Sequence, residues 1–367
     1  MSTSPRRQSS SSPSLPPTQS PKGQQKKRTP VSVRPSASIV LVSPQNQVLL
    51  LHRVQTSSSF ASAHVFPGGN LSGFHDGELV GGDVHVDSEA YRLAAVRETF
   101  EESGILLVKR RVDGGGEGEG GLVRVDEEAV ERGRREVHAN KVRFGEWVGS
   151  VGGVIDVDGL IPFTRWITPM GMPKRFSTQM YLYLLPLSTS TASEVVVHTP
   201  THDGGVEHTA AKFDDAGEWL EKAQRGEIVL FPPQYYLLTL VAQFLSGAPA
   251  QSTDTHSREH YQAQRDALLQ FLRTVPTTRT DSPSTGKQHP TANIPWAEKV
   301  MSPTSLFMRK DGRVVLGLDK PGPELKGSGR GGDWDRVVLV KFYKSGPSGV
   351  EVRWREDVLK EERDAKL

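Results

Sequence analysis

The chain has 367 residues, 35% of them hydrophobic, so it can bury a sizeable core and has room for two domains with tails. It contains no cysteine, which excludes thiol catalysis, thiolate-bound zinc and disulfides, and no apolar run long enough to span a bilayer. The formal net charge is +2, but the first 75 residues hold eight Lys and Arg and no Asp or Glu. We therefore expect no membrane partner and a basic N-terminal end.

Residues 1–36 are rich in Ser, Pro and basic side chains and hold few large apolar ones, so we expect them to be disordered. A nucleic-acid interface needs basic residues on a folded face. Because the basic residues of this chain lie mostly in a tail that we expect to be disordered, we expect no nucleic-acid partner. The tail loosely resembles a mitochondrial transit peptide, although its prolines prevent the amphipathic helix that such a peptide forms. It also lacks the apolar segment of a secretory signal.

Strand and helix patterns alternate irregularly after the tail, which predicts a mixed α/β (α+β) fold and not a doubly wound parallel sheet. The first predicted elements are a hairpin around Pro44–Asn46, a short strand ending at Pro67-Gly68-Gly69, a Gly-rich insert at 70–88, a helix from an N-cap at Asp87-Ser88 to Ser103, a loop at Lys109–Gly121 and a charged helix at 125–142.

The second half of the chain continues the mixed pattern. Its predicted elements are strands at Phe163–Pro169 and Thr178–Leu187, helices at Phe213–Arg225, Pro233–Phe244 and Arg258–Leu272, a linker at Pro276–Pro295 and a final group of strands. The predicted organisation is therefore a tail at 1–36, a domain at 37–250, a helix and linker at 251–295, and a β-rich C-terminal extension at 296–367.

The stretch AVRETFEESGILL concentrates carboxylates on one predicted helix. At about 100° per residue, Leu93, Val96 and Phe100 share one side of the helix. The other side carries the carboxylates of Glu98, Glu101 and Glu102. Such crowded carboxylates repel one another unless a hard divalent cation such as Mg²⁺, or a basic side chain such as Arg97, lies among them. The alternative is a solvated acidic face with no site.

The surrounding residues favour the metal interpretation. Arg97–Ile105 fits R-E-U-x-E-E-x-G-U, where U is a bulky aliphatic residue, with Thr99 in place of the first U. Glu89 stands eight residues before Arg97, and 19 residues separate it from Gly69. The segment resembles the Nudix box, G-x5-E-x7-R-E-U-x-E-E-x-G-U, with a longer insert. The resemblance implies a Nudix α/β/α sandwich with a mixed sheet, to which the chain adds its β-rich C-terminal extension.

The blocks AHVFPGG, FTRWITP and GEIVLFPPQYYLL extend the resemblance over residues 36–246, in the order seen in peroxisomal coenzyme A diphosphatases of the nudix motif 19 type. That branch implies an enzyme that hydrolyses the diphosphate bond of coenzyme A or acyl-CoA to 3′,5′-ADP and (acyl-)4′-phosphopantetheine. Two alternatives stay open. One is a Nudix pyrophosphatase acting on ADP-ribose, NADH or a nucleotide sugar, and the other is a non-catalytic Nudix-fold binding module.

The resemblance also implies roles for individual residues. Glu101 and Glu102 would be the principal ligands of Mg²⁺ or Mn²⁺, and Glu98, steadied by Arg97, would be a further ligand or the general base. Glu89 would complete the metal site or pair with Arg97. The turn residues Gly68 and Gly69 would allow close backbone approach to the substrate. Glu207 is a candidate for an additional base, although a loop acid without function is the alternative.

The 3′-phosphate of a coenzyme A substrate would need a cation. The three candidates are Arg165, Lys174 and Arg175, which alternatively flank the strands as solvated charges. His64 precedes the Pro-Gly-Gly turn and is expected to be structural.

The chain ends in Ala365, Lys366 and Leu367, a conservative variant of the SKL peroxisomal address. We therefore expect a peroxisomal import receptor as a partner and a peroxisomal location, with mitochondrion or cytosol as alternatives. The oligomeric state stays open.

Overall fold

The computed structural model describes residues 31–54, 62–79, 84–111, 117–187, 208–247, 254–278 and 289–366. The predicted disorder of residues 1–36 thus falls largely on residues outside these ranges. Val33 already lies in the first strand, four residues before the predicted start of the domain at residue 37. Its strand is long because residues 33–42 pair throughout with a parallel neighbour.

The described strands, in chain order, are β1 (Val33–Val42), β2 (Val48–Arg53), β3 (His64–Val65), β4 (Gly68–Asn70), β5 (Val108–Arg111), β6 (Glu117–Leu122), β7 (Gly153–Ile155), β8 (Ile161–Ile167), β9 (Arg175–Leu184), β10 (His208–Asp214), β11 (Val300–Met301), β12 (Thr304–Met308), β13 (Val314–Leu318), β14 (Asp333–Tyr343) and β15 (Gly346–Trp354).

The described α-helices are α1 (Glu89–Ser103), α2 (Glu127–His138), α3 (Phe144–Ser150), α4 (Ala216–Gln224), α5 (Pro232–Val241), α6 (Asp254–Arg273) and α7 (Arg355–Asp364). Short 3₁₀ turns lie at Pro290–Asn293, Trp296–Glu298 and Pro323–Leu325. None of the helices in the described ranges combines the length and the apolar character needed to cross a bilayer.

The central sheet has the strand order β10-β2-β1-β9-β8-β11, with β3 added beside β2 and β4 beside β1. Its β1–β9 and β8–β11 pairs are parallel, whereas β1–β2, β2–β10 and β8–β9 are antiparallel. The mixed sheet predicted from the irregular alternation is confirmed.

Side chains of the central sheet alternate between two buried faces, as a strand requires. On β1, Ile39 and Leu41 pack into a core shared with α1, α2 and α3, whereas Val40 and Val42 pack into a core shared with α4, α5 and α6. The predicted α/β/α sandwich is therefore confirmed.

A second, antiparallel sheet (β12-β13-β14-β15) forms the predicted β-rich C-terminal extension. Its Val338 and Val340 join the core that contains Tyr236 of α5. The hydroxyl of Tyr236 also donates to Asp333 of β14 at 2.6 Å, and Arg336 lies 3.0 Å from the same carboxylate. Both apolar packing and a buried polar group thus join the extension to α5.

Two of the predicted elements were wrong. The loop predicted at Lys109–Gly121 contains parts of β5 and β6, because antiparallel pairing satisfies the backbone where glycine-rich residues offer few side chains. The helix predicted from Phe213 begins at Ala216, and Phe213 belongs to β10, an unpredicted strand that pairs with β2.

Candidate active site

The carboxylate-bearing helix α1 begins and ends where the sequence predicts. Ser88 is the N-cap residue with extended backbone, and Gly104 ends the helix with a φ of 75°. The N–H of Gly104 donates to the carbonyl of Phe100 at 2.9 Å, a closure that the left-handed conformation of a glycine favours. Thr99, which departs from the motif, is fully buried and donates its hydroxyl to the Ala95 carbonyl at 2.8 Å.

Helix α1 is buried on more than one side. Val96 and Phe100 are fully buried as predicted, but Leu93 is only partly buried. Arg97 and Glu102 are also buried, at 4% and 6% exposure, so the predicted acidic face is not an open solvated surface. The interpretation of these glutamates as a solvated face is therefore wrong.

Strand β4 lies directly against the α1 carboxylates, because it pairs with β1 beneath the helix. A Cβ added to Gly69 would come within 2.5 Å of the Glu98 side chain, so only glycine leaves room for that carboxylate. The N–H of Gly68 donates to Oε2 of Glu102 at 2.8 Å. At the Gly-Gly turn the backbone thus approaches two of the glutamates, and its approach to a substrate stays a prediction.

Arg97 is held by a partner that the sequence analysis did not identify. Its Nε donates to Oδ1 of Asp76 at 2.9 Å, and its Nη2 donates to Oδ2 at 2.8 Å. Nη2 also donates to the carbonyl of Asn70, the last residue of β4, at 3.0 Å. The insert therefore supplies Arg97 with a bidentate carboxylate partner.

The remaining nitrogen of Arg97 joins two of the glutamates. Nη1 donates to Oε1 of Glu98 at 2.9 Å and to Oε1 of Glu101 at 2.8 Å. Burial would lower the pKa of Arg97, but Asp76, Glu98 and Glu101 outweigh it and raise that pKa. Burial raises the pKa of Glu98 to about 7, with Glu101 adding to the shift and Arg97 opposing it.

The predicted pairing of Glu89 with Arg97 is not present in the structure. Glu89 is exposed at the first turn of α1, and eight residues of helix correspond to about 12 Å along the axis. Asp76 occupies the place beside Arg97 instead. Whether Glu89 contributes to a metal site stays a prediction.

A signal for Asp76 was present in the sequence. The motif spacing G-x5-E places its first carboxylate six residues after the glycine, and Asp76 stands seven residues after Gly69. The extra residues of the insert thus follow this carboxylate instead of preceding it.

Two histidines and a second arginine also contact the glutamates of α1. Nδ1 of His138 in α2 lies 3.0 Å from Oε2 of Glu101, and Arg134 donates to the backbone carbonyl of Glu101 at 2.9 Å. Nε2 of His208 in β10 lies 3.6 Å from Oε1 of Glu102. Sequence patterns gave no sign of these contacts, because the three residues are brought to α1 by tertiary packing.

The donor set fits a hard divalent cation. Three carboxyl groups, those of Asp76, Glu98 and Glu101, accept from a single guanidinium, and burial raises the pKa of Glu98 although Arg97 opposes the shift. In this arrangement no three His, Asp or Glu side chains of the described residues converge as a metal site. Glu98, Glu101 and Glu102 would supply the oxygen ligands that Mg²⁺ prefers.

The predicted phosphate-binding cations lie in different environments. Arg165 and Arg175 are 1% and 2% exposed, so their interpretation as solvated charges is wrong. Arg165 donates to the carbonyl of Val84 in the insert at 3.1 Å, and Arg175 pairs with Glu324 of the C-terminal extension. Lys174 is exposed. A contact of these residues with a phosphate stays a prediction.

His64 and Glu207 complete the residues singled out from the sequence. His64 stacks on His52 at 4.7 Å, and burial, with His52 and Lys222 adding to it, lowers the pKa of His64 to about 4. Glu207 lies outside the described residues, so its role as an additional base stays a prediction.

The family model described as NUDT19 Nudix domain matches residues 74–241 of this chain. These residues are similar to a Nudix domain of the NUDT19 type, which agrees with the resemblance carried by the box and its surrounding blocks. The match includes the part of the insert that holds Asp76, together with α1 and β10.

Named relatives match part of this chain. The chain is 29% identical over 219 residues to nudix hydrolase 7 of Caenorhabditis elegans, covering 58% of this chain and 61% of that protein. It is 28% identical over 244 residues to the acyl-coenzyme A diphosphatase NUDT19 of Xenopus laevis, covering 54% of this chain and 60% of that protein. The matches thus span about three fifths of the length of each relative.

A solved structure of a Nudix hydrolase from Alicyclobacillus acidocaldarius is similar to this chain with a TM-score of 0.43 and 22% sequence identity. The match covers 59% of this chain and 99% of that one.

Proposed function

We propose that this chain is a metal-dependent diphosphatase that hydrolyses coenzyme A or acyl-CoA to 3′,5′-ADP and (acyl-)4′-phosphopantetheine. The observation that carries the proposal is the placement of three α1 carboxylates: β4 lies against Glu98 and Glu102, and a guanidinium held by Asp76 donates to Glu98 and Glu101. The choice of coenzyme A within this chemistry is supported by the activity for which the Xenopus laevis relative is named.

The three carboxylates of α1 have different proposed roles. Glu101 and Glu102 are the proposed principal ligands of Mg²⁺ or Mn²⁺. A bound divalent ion polarises the phosphoryl oxygens and lowers the pKa of water. Glu98 is a further ligand or the base that takes the proton of the attacking water. Its Oε1 accepts from Arg97, whereas its Oε2 accepts no hydrogen bond from the described residues, which leaves that oxygen for either role.

Arg97, Gly68 and Gly69 position these groups. Arg97 ties Glu98 and Glu101 to the insert through Asp76, so the two carboxylates are oriented before substrate arrives. Gly68 orients Glu102 through its N–H. Preorganised charged groups of this kind are more effective than mobile ones because little reorganisation is needed during the reaction.

The substrate's 3′-phosphate needs a separate cation. Among the three predicted candidates, Lys174 is exposed and is the one we propose to meet this phosphate. The buried Arg165 and Arg175 fit a different task, because they hold Val84 of the insert and Glu324 of the extension.

A peroxisomal location, with an import receptor that binds Ala365, Lys366 and Leu367, is also a proposal. It is supported by the similarity of this ending to a receptor-read address. Leu367 itself lies outside the described residues.

A substrate panel tests the proposed activity. Purified protein is assayed with Mg²⁺ against CoA, acetyl-CoA, ADP-ribose and NADH, with products separated by chromatography. We expect 3′,5′-ADP from CoA and acetyl-CoA at the highest kcat/KM. ADP-ribose turnover well above that of CoA would overturn the assignment of coenzyme A as the substrate. Binding of Mn²⁺ without any hydrolysis would favour a non-catalytic binding module.

A further inference from the structure

His208 is the first residue of β10, and its side chain is fully buried. Its Nε2 lies 3.6 Å from Oε1 of Glu102, whose other oxygen accepts the N–H of Gly68 at 2.8 Å. The distance of 3.6 Å is longer than a hydrogen bond, so this is a close contact between the imidazole and the carboxylate. The Glu102 carboxylate is thus contacted at one oxygen by the backbone of β4 and at the other by an imidazole of β10.

A β-bulge turns His208 toward α1. In the β10–β2 ladder, His208 lies opposite Arg53 and Ala210 lies opposite His52, so β10 contains one extra residue, Thr209. The hydroxyl of Thr209 lies 2.7 Å from Nδ1 of His52. Such bulges reverse the alternation of side chains along a strand and occur often beside active sites.

The direction of the neighbouring side chains shows what the bulge changes. Ala211 and Phe213 pack into the core that contains α1, whereas Lys212 lies over Trp219 on the opposite face of the sheet. A regular strand would therefore point residue 208 to the side of Lys212. The extra residue places His208 on the α1 side, where it meets Glu102.

We propose that His208 is a positioning residue that orients the Glu102 carboxylate for a divalent cation. The inference rests on the proposed function in so far as Glu102 is taken to be a metal ligand. Groups that orient a ligand commonly change metal affinity by about 10–100-fold when they are removed. A buried histidine that only fills space would need neither the bulge nor the contact with a carboxylate.

Binding of Mn²⁺ to the full chain in the absence of substrate tests this role, measured by the EPR signal of free Mn²⁺. We expect His208→Leu to raise the Mn²⁺ Kd about tenfold or more. His208→Gln keeps an amide N–H to face Oε1, so its Kd is expected within about threefold of wild type. His64→Leu, a histidine on the opposite face of the same sheet, is the matched control and leaves the Kd unchanged.

A double-mutant cycle with Glu102→Gln separates positioning from general packing. If His208 acts through Glu102, His208→Leu adds no further loss of Mn²⁺ affinity in the Glu102→Gln background. Thermal unfolding in EDTA checks that each variant is folded. If His208→Leu does not fold, His208→Phe, which fills more of the buried volume, replaces it with the same expectation.

Several results overturn the inference: no Mn²⁺ binding by wild type, an unchanged Kd for the folded His208→Leu or His208→Phe variant, or equal losses for His208→Gln and His208→Leu. Failure of the proposed function is distinguishable from these. If His208→Leu weakens Mn²⁺ binding and no substrate of the panel is hydrolysed, the inference stands and the diphosphatase fails. If wild type hydrolyses CoA but His208→Leu leaves the Mn²⁺ Kd unchanged, the diphosphatase stands and the inference about His208 fails.

Discussion

Asp76 accepts two hydrogen bonds from Arg97, one from Nε at 2.9 Å and one from Nη2 at 2.8 Å. Both side chains are buried, so the pair is protected from competing water. Since Nη1 of the same guanidinium holds Glu98 and Glu101, a carboxylate in the insert determines where two glutamates of α1 lie. The insert is thus part of the site and not only a loop between its elements.

Asp76→Asn replaces the two charged oxygens that accept from Nε and Nη2 of Arg97 with a single uncharged one. Breaking a buried ion pair in this way costs about 3 kcal/mol of unfolding free energy. Urea unfolding measures the change, with the exposed Asp158→Asn as the control, expected within about 0.5 kcal/mol of wild type. Equal unfolding midpoints for the two variants would show that the Asp76–Arg97 pair does not stabilise the fold.

Gly69→Ala places a methyl group 2.5 Å from the Glu98 side chain, which must move away. We expect the fold to survive, because a flexible side chain gives way, and kcat to fall by about a hundredfold, since a small misplacement of a reacting group has effects of this size. Gly73→Ala is the control, because nothing lies within 4 Å of its added methyl. Steady-state kinetics measure kcat for both variants. Similar kcat values would argue against the positioning of Glu98 by β4.

Glu102→Gln removes a proposed ligand charge but keeps an oxygen that can accept from Gly68. We expect kcat to fall by about two orders of magnitude or more, with little change in the unfolding temperature. Glu128→Gln changes an exposed glutamate of α2 outside the site and is expected to have a much smaller effect on kcat. A near-normal rate for Glu102→Gln would refute its role as a ligand.

The lowered pKa of Lys299 predicts that the free energy of unfolding depends on pH in the alkaline range. Burial lowers the pKa of Lys299 to about 8, with Arg336 adding to this and Asp333 and Asp335 opposing it. Above pH 8 the unfolded chain binds the proton more tightly than the folded one, so this group makes the protein more stable as pH rises toward 10. The slope is roughly 1 kcal/mol per pH unit. Unfolding free energies of wild type and Lys299→Met, compared over this range, should diverge, and parallel curves would contradict the shift.

Deletion of Ala365, Lys366 and Leu367 is expected to leave activity unchanged and to prevent peroxisomal import. Ala365 and Lys366 are exposed after the end of α7, so their loss removes little packing. Fluorescence microscopy of tagged chains and assays of the purified proteins measure the two effects. Continued import of the shortened chain would mean that the address lies elsewhere.

The sequence predicted those parts of the site that are local along the chain. Helix α1, its end at Gly104 and its carboxylates follow from periodicity and motif spacing, and the structure confirms the helix. The sequence did not identify Asp76 as the partner of Arg97, because the motif spacing from Arg97 pointed to Glu89. The contact between Asp76 and Arg97 depends on how the insert folds back over β4.

The contact of His208 with Glu102 could not be predicted in the same way. A one-residue bulge decides which face of β10 carries the imidazole, and its only neighbours in the sequence are small and polar residues. The direction of Arg165 depends in the same way on sheet pairing and on the position of Val84. Such relationships are set by tertiary structure, which residue spacing does not reveal.

The most direct test of the account is the rate of 3′,5′-ADP release from CoA in Mg²⁺, measured for wild type and Glu102→Gln at matched protein concentration. We expect release by wild type, its loss in EDTA with recovery on adding Mg²⁺ back, and a strongly reduced rate for the variant. Equal rates for the two proteins, or release by wild type that persists in EDTA, would contradict the carboxylates of α1 as the metal-binding centre.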